Sequence, residues 1–210
     1  SVDLLNMMTS NLEKISEHGF NTVRIVKAME ELLKDRRGKL TLTNINGLCR
    51  IALDKLKKTY EQDIQEKNIR IVFDNLTLSL MMEVNVEQFS KVLAGILKNS
   101  MYALLKKSET VTFSPEIFLG LKVNKDMLEI TIRDNGSGID ENIKDKIFAP
   151  FFTTKTTGEA AGVGLYLCRE IVQNHRGTIE VESKKGEYTQ FLITIPVYQP
   201  KTITPPKEEE

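Results

Sequence analysis

Apolar positions along the chain follow two rhythms. Over residues 3–37, Leu4, Leu5, Met8, Leu12, Ile15, Phe20, Val23 and Val26 recur at helical spacing, and the run closes on Lys34-Asp35-Arg36-Arg37 and Gly38. A helix with so long an apolar stripe needs something to lie against: a second chain, an upstream helix, or the core of the domain that follows. From Asn44 onward the rhythm is mixed. Helical spacing predicts a helix over 45–62, and alternation marks Ile69-Arg70-Ile71-Val72-Phe73 and Leu78-Ser79-Leu80-Met81-Met82 as strands. Phe89, Val92, Leu93, Ile96 and Leu97 then share one face of a helix that runs into Lys98-Asn99-Ser100.

Two further alternating runs, 117–123 and 127–133, are joined across Asn124-Lys125-Asp126, the spacing of a hairpin. An apolar helix over 165–172 and a strand pair over 178–182 and 190–195 complete the pattern. Helices segregated from a mixed sheet predict an α+β chain built as an α/β sandwich, with a cleft on one side. Residues 199–210 offer nothing to bury, so they are expected to be disordered.

Three places along this pattern carry chemistry. Asp134 ends the alternating run Leu128-Glu129-Ile130-Thr131-Ile132-Arg133 and opens the loop Asn135-Gly136-Ser137-Gly138. Such residues form ordinary surface turns. A carboxylate there can also accept an amino hydrogen bond, while Gly136 and Gly138 let the backbone approach a flat ligand such as adenine. Asn99 emerges beside its helix's apolar face. It reads either as a solvated or locally bonded side chain, or as a neutral oxygen ligand for a hard cation such as Mg2+ that also holds phosphates. Third, Ile147-Phe148-Ala149-Pro150-Phe151-Phe152-Thr153-Thr154-Lys155 leads into a polar run that reads as a lid on an aromatic anchor. Lys155 adds a mobile positive charge. Gly162 and Gly164 open the next helix, whose free amides and positive dipole end suit phosphate. The joint order of these features points to an adenine nucleotide.

Composition narrows the alternatives. Lys+Arg and Asp+Glu both number 29, so no global basic surface argues for nucleic acid. Cys49 and Cys168 lie in apolar helical patterns without metal-ligand spacing and read as free buried thiols. No run of about 20 apolar residues is present. No membrane contact is therefore expected within these residues, and the expected location is cytoplasmic, with any anchorage left to a longer parent protein. The initial Ser1 suggests a fragment.

These motifs resemble the GHKL ATP-binding superfamily of gyrases, heat-shock chaperones, histidine kinases and mismatch-repair ATPases, and most closely the catalytic domain of sensor histidine kinases. Asn99 matches the N box, Asp134-Asn135-Gly136-Ser137-Gly138 the first glycine box, residues 148–155 the F box, and Gly162-Val163-Gly164-Leu165 the second glycine box. His175-Arg176-Gly177-Thr178-Ile179 and Thr189-Gln190-Phe191 stand where such kinases carry their closing strands. The resemblance covers residues 44–197. Residues 11–19 and 25–27 are similar to the second dimerisation helix of a Bacteroidetes-type group.

The resemblance implies a Bergerat-type fold: a two-layer α/β sandwich with a mixed, largely antiparallel sheet, preceded by a long dimerisation helix. It divides the chain into a dimerisation helix at 1–40, an ATP-binding domain at 41–198 and a tail at 199–210. It implies ATP and Mg2+ as cofactors, with Asn99 the metal ligand. Nucleotide contacts would come from Asn99, Tyr102, Asp134, Gly136, Gly138 and Ile139, then Thr154, Lys155, Gly162, Val163, Gly164, Leu165 and Thr189. The implied reaction moves the γ-phosphoryl group of ATP to a histidine and on to an aspartate of a response regulator receiver domain. A homodimer through the N-terminal helix is the implied assembly.

Several positions depart from that pattern. The two histidines are His18 and His175, and neither begins the family's His-Glu-x-x-x-Pro acceptor box. The acceptor is expected upstream of Ser1, and no catalytic residue is assigned within the chain. Gly95 stands four residues before Asn99, where kinases place a polar residue and hydrolytic relatives a Glu base. Without a side chain it can neither orient water nor help a metal. Ala160 replaces a lid glycine, and Tyr188 the glycine before Thr189. The alternative to a kinase is a degenerate nucleotide-binding or dimerisation scaffold.

Overall fold

The computed structural model describes residues 2–33, 39–155 and 162–197. The lid centre with Ala160, the charged run at 34–38 and the tail expected to be disordered lie outside the described residues. The first element is α1 (Val2–Leu33). Its stripe faces no core: Leu5, Leu12, Ile15 and Phe20 are each about two-thirds exposed.

The domain begins with β1 (Thr41–Asn44), α2 (Ile45–Thr59), α3 (Glu61–Glu66), β2 (Arg70–Asp74) and β3 (Met81–Val84). The helix predicted over 45–62 is thus broken at Tyr60, whose backbone leaves helical geometry. The second predicted strand starts three residues late. Leu80 is held instead by its carbonyl, which accepts the Ile45 N–H at 3.0 Å, and the buried pair becomes Met82 and Val84. β1 was not legible from alternation: it is four residues long, and its one apolar side chain, Leu42, points outward. It pairs antiparallel with β3.

The rest comprises α4 (Val86–Ser108), β4 (Glu116–Asn124), β5 (Met127–Asp134), α5 (Glu141–Lys144), α6 (Gly164–Asn174), β6 (Thr178–Lys184) and β7 (Tyr188–Pro196). The main sheet runs β2-β4-β5-β7-β6. β2 pairs parallel with β4, and every other pair is antiparallel. The sheet is therefore mixed and largely antiparallel, with helices on one face, as expected.

Strand parity builds the core. Ile117, Leu119 and Leu121 of β4, Leu128, Ile130 and Ile132 of β5, and Phe191, Ile193 and Ile195 of β7 all face the helices and are buried. α4 answers with Phe89, Val92, Leu93, Ile96, Leu97, Met101 and Leu104, all fully buried. Burying each such side chain contributes about 1.5–3 kcal/mol, so α4 anchors the domain. Asn85 caps its start by accepting the Gln88 N–H at 3.1 Å.

His175 joins α4 to α6. The Asn85 N–H points at Nε2 (3.0 Å), which must accept, so the ring proton lies on Nδ1 and is donated to the Ile171 carbonyl at 2.7 Å. The ring also packs edge-on against Phe89, centroids 5.7 Å apart. This residue therefore ties the start of α4 to the end of α6, the two helices that carry the motifs. Replacing it with Phe keeps the ring but leaves the Asn85 N–H unpaired, while the Ile171 carbonyl still accepts the His175 backbone N–H at 3.2 Å. His175→Phe is expected to lower unfolding free energy by about 1–3 kcal/mol, measured as a lower urea midpoint at unchanged slope; an unchanged midpoint would remove the bridge from the stability account.

Candidate nucleotide-binding site

A cavity of about 550 Å³ opens between α4, the end of β5 and the start of α6, within the size range of small-molecule sites. One wall is a single stripe of α4. Gly95, Lys98, Asn99, Tyr102, Ala103 and Lys106 recur at three- and four-residue spacing and all line it. The stripe adjoins the apolar face that buries α4, so the helix places its buried and ligand-facing rows side by side.

The opposite wall starts at Asp134. In phase with Leu128, Ile130 and Ile132, its side chain also turns toward the helices, and it is 2% exposed. Burial raises its pKa from 3.8 to about 6, against the lowering effects of the Ser100 hydroxyl, the Gly136 N–H, and the Lys107 and Arg133 charges. The Gly136 N–H donates to Oδ1 at 3.0 Å. The Ser100 hydroxyl is buried without a partner of good hydrogen-bond geometry, yet lies near enough to favour the charged carboxylate. Asp134 thus keeps accepting capacity toward the cavity. In β7, Thr189 stands directly across from it in register and also lines the cavity.

The two glycines after Asp134 separate in role. Gly138 lines the cavity at φ +63°, and a Cβ there would lie 2.2 Å from the Lys184 carbonyl oxygen. Gly136 is absent from the cavity wall. A Cβ there would meet the Ala103 backbone at 2.7 Å, so this glycine brings the loop against α4. Asn135 is a splint: its side chain accepts the Glu116 N–H and donates to the Ser114 carbonyl, both at 2.8 Å.

The remaining wall comes from the aromatic segment and α6. Phe148 is buried against Phe191 with rings nearly perpendicular, while Phe152, Thr154 and Lys155 border the cavity. Gly162 (φ +69°) packs on the Phe151 backbone, so the described ends of the lid segment meet. Gly162, Val163, Gly164 and Leu165 line the cavity, and no side chain caps α6. Its first amides have no partner within the helix and carry its positive dipole end. That is an anion site by construction.

Twelve of the thirteen expected nucleotide contacts therefore border one cavity, Gly136 being the exception. Lys98, Lys106 and Lys185 also border it but were not anticipated. The first two were legible as members of the Asn99 stripe. Lys185 was not, because it reaches the rim from the β6–β7 turn, where it pairs with Asp140 at 2.8 Å.

Two departures from the family pattern gain a physical account. A Cβ on Gly95 would lie 3.2 Å from the Cys168 sulfur, so the glycine lets α4 and α6 approach. Tyr188 points to the opposite sheet face from Thr189. There it stacks under Arg133, 4.3 Å from the ring centroid, and donates to Glu182. It does not intrude on the cavity.

The family profile described as "Histidine kinase-, DNA gyrase B-, and HSP90-like ATPase" matches residues 85–199, more than half the chain, and the chain belongs to that family. Membership carries ATP binding. The chain is 28% identical over 174 residues to sensor histidine kinase ZraS of Salmonella typhi, a match covering 83% of this chain and 35% of that protein. Among solved structures, the catalytic domain of histidine kinase ThkA superposes with TM-score 0.62 at 28% identity, over 76% of this chain and 96% of that domain. ThkA in complex with response regulator protein TrrA gives 0.63 at 26% identity, over 93% and 51%. The fold is that of a histidine kinase catalytic domain, as the motifs implied. The chain spans about a third or less of the length of the curated relatives it matches.

The Asp134 shift fixes a pH dependence. The folded state keeps this proton up to about pH 6, whereas the unfolded chain releases it near 3.8. Between these values the folded state binds more protons, so stability falls as pH rises through the interval and is flat above it. Asp134→Asn retains an acceptor for Gly136 and removes the buried charge. It is expected to make the ligand-free protein more stable than wild type at pH 8 by about 1–3 kcal/mol, with no gain at pH 3.5, as read from paired urea titrations.

Proposed function

We propose that this chain is the ATP-binding catalytic part of a two-component sensor histidine kinase, which transfers the γ-phosphoryl group of ATP to a histidine and thence to a response regulator. One observation carries the reading: a buried carboxylate with spare accepting capacity and an uncapped helix N-terminus open onto the same cavity, with Asn99 on its α4 wall. Asp134 accepts from the adenine amino group, Thr189 assists beside it, and Gly138 with Ile139 borders the base. Gly162, Val163, Gly164 and Leu165 hold the phosphates, with positive charge from Lys155 and polar contact from Tyr102 and Thr154. Gly136 supports this arrangement by closing the loop onto α4.

Mg2+ fits the site in one respect. Asn99 Oδ1 already accepts from a cation, the Lys155 ammonium, at 3.2 Å, so the position suits positive charge. Among the described residues no group of three or more His, Cys, Asp or Glu could hold a metal. A metal held by Asn99 therefore depends on phosphate oxygens for its other ligands. When bound, it would neutralise phosphate charge during transfer. The chain's own part is positioning.

The acceptor imidazole comes from outside residues 1–210 in this reading. His175 has both ring nitrogens engaged with backbone, and His18 lacks the acceptor-box sequence around it. α1 is the dimerisation helix, its exposed stripe covered by a second copy, and residues 41–198 form the catalytic domain. The named complex of ThkA with TrrA supports a receiver domain as the downstream partner. Gly95 favours a second reading, a nucleotide-binding scaffold without turnover, because the position beside Asn99 is given to packing.

Two measurements test this. Asp134→Ala should abolish nucleotide-induced thermal stabilisation, which in wild type corresponds to about 2.7 kcal/mol at a hundredfold excess over Kd; a retained shift refutes the adenine assignment. The full-length parent supplied with Mg-ATP should acquire acid-labile, base-stable phosphate. Binding without such phosphate rejects the kinase in favour of the scaffold.

A further inference from the structure

Tyr102 and Asn99 stand one helical turn apart on the cavity stripe of α4. The Lys155 ammonium occupies the space they share. It is 3.2 Å from Asn99 Oδ1 and 4.3 Å from the Tyr102 ring centroid. A turn further along, Lys106 approaches the same ring, its nitrogen 5.9 Å from the centroid. The backbone beneath Lys155 is also held, since its N–H donates to Thr153 Oγ1 at 3.1 Å. An electron-rich ring face and a neutral amide oxygen together make a seat for a single cation.

We propose that Lys155 is the resident cation of this site. Its ammonium occupies the Asn99 oxygen when no nucleotide is present, and Tyr102 is the positioning residue that keeps it there. The proposal rests on the nucleotide-binding reading above and adds a rule about metal. Because Asn99 offers one neutral oxygen and the described residues supply no acidic cluster, a divalent ion arrives with the phosphates, and ammonium and metal are alternatives at one atom. With metal-free nucleotide the ammonium stays on Asn99 and meets the phosphate from there. With the metal complex it yields that oxygen and retains its attraction to the phosphates. Lys155 therefore matters most when the metal is absent, and it gives the chain a capacity to hold nucleotide without magnesium.

The test is calorimetric binding of ADP and of a non-hydrolysable ATP analogue to the whole chain, in excess magnesium and in chelator. Variants are Lys155→Met, Tyr102→Leu and Tyr102→Phe. Lys155→Met is expected to weaken binding in chelator by about tenfold more than in magnesium. Tyr102→Leu should move the ratio in the same direction, by about threefold, whereas Tyr102→Phe, which keeps the ring face and loses only the hydroxyl contact, should weaken binding equally in both conditions and leave the ratio at its wild-type value. An equal loss with and without magnesium in Lys155→Met overturns the proposal while leaving the nucleotide site standing. Tyr102→Phe behaving like Tyr102→Leu overturns the role given to the ring. If wild type binds neither nucleotide in either condition, the nucleotide reading fails and the proposal falls with it.

Discussion

β5 carries a two-residue period to its last position, and the nature of the site depends on that. Leu128, Ile130 and Ile132 turn toward the helices because they are apolar; Asp134 turns there because it is two residues further on. The parity that buries three aliphatic side chains commits a carboxylate to the same low-dielectric layer, where its charge is opposed by desolvation. The surroundings then supply what relief they can: the Gly136 amide, the Ser100 hydroxyl and two nearby cations. None of these neutralises the group fully. What is left is a carboxylate whose best partner is a donor brought in from outside.

The same alternation explains which parts of the fold were legible. Long, regular runs such as those of α4, β4, β5 and β7 declare themselves because every second or every third and fourth residue is buried. β1 and α5 have four residues each and do not complete a period. The break at Tyr60 follows no apolar signal, since the predicted helix pattern runs straight through it. At the site, Asp134 was legible because it continues an apolar row with a polar residue, and Asn99 because it stands beside one. Gly136 leaves two roles open for a physical reason: a glycine is equally required beneath a ligand or beneath a helix, and a Cβ there would lie 2.7 Å from Ala103. Lys185 lay beyond reach because the β6–β7 turn carries no mark of the loop it faces.

Departures from a family pattern are informative once their direction is known. Tyr188 and Thr189 are neighbours in sequence but lie on opposite faces of the sheet, so the bulky residue leaves the site unaltered. Gly95 is different. It lies in the cavity wall itself, and its lost side chain is matched by a sulfur behind it, which locks α4 against α6. The Cys168 thiol in that contact is buried and its pKa pushed up to about 12, so it serves as a small apolar filler rather than a nucleophile. Close packing takes the place of the polar group that the family pattern expects there, while Asp134 and the start of α6 still open onto the cavity.

The pairing of β5 with β7 has a kinetic meaning as well as a structural one. β4–β5 and β6–β7 are hairpins that close over short loops, whereas β5 and β7 are joined only after the aromatic segment, α5, α6 and β6 have been threaded between them. Of the strand pairings in the main sheet, it is the one with the greatest sequence separation, and closing it carries the largest loop-entropy barrier. Asp134 belongs to one of these strands and Thr189 to the other, so the pocket does not exist until that late step is complete. A molecule spanning the two would act as a clasp on the least local strand pairing of the main sheet, coupling occupancy of the site to the lifetime of that sheet.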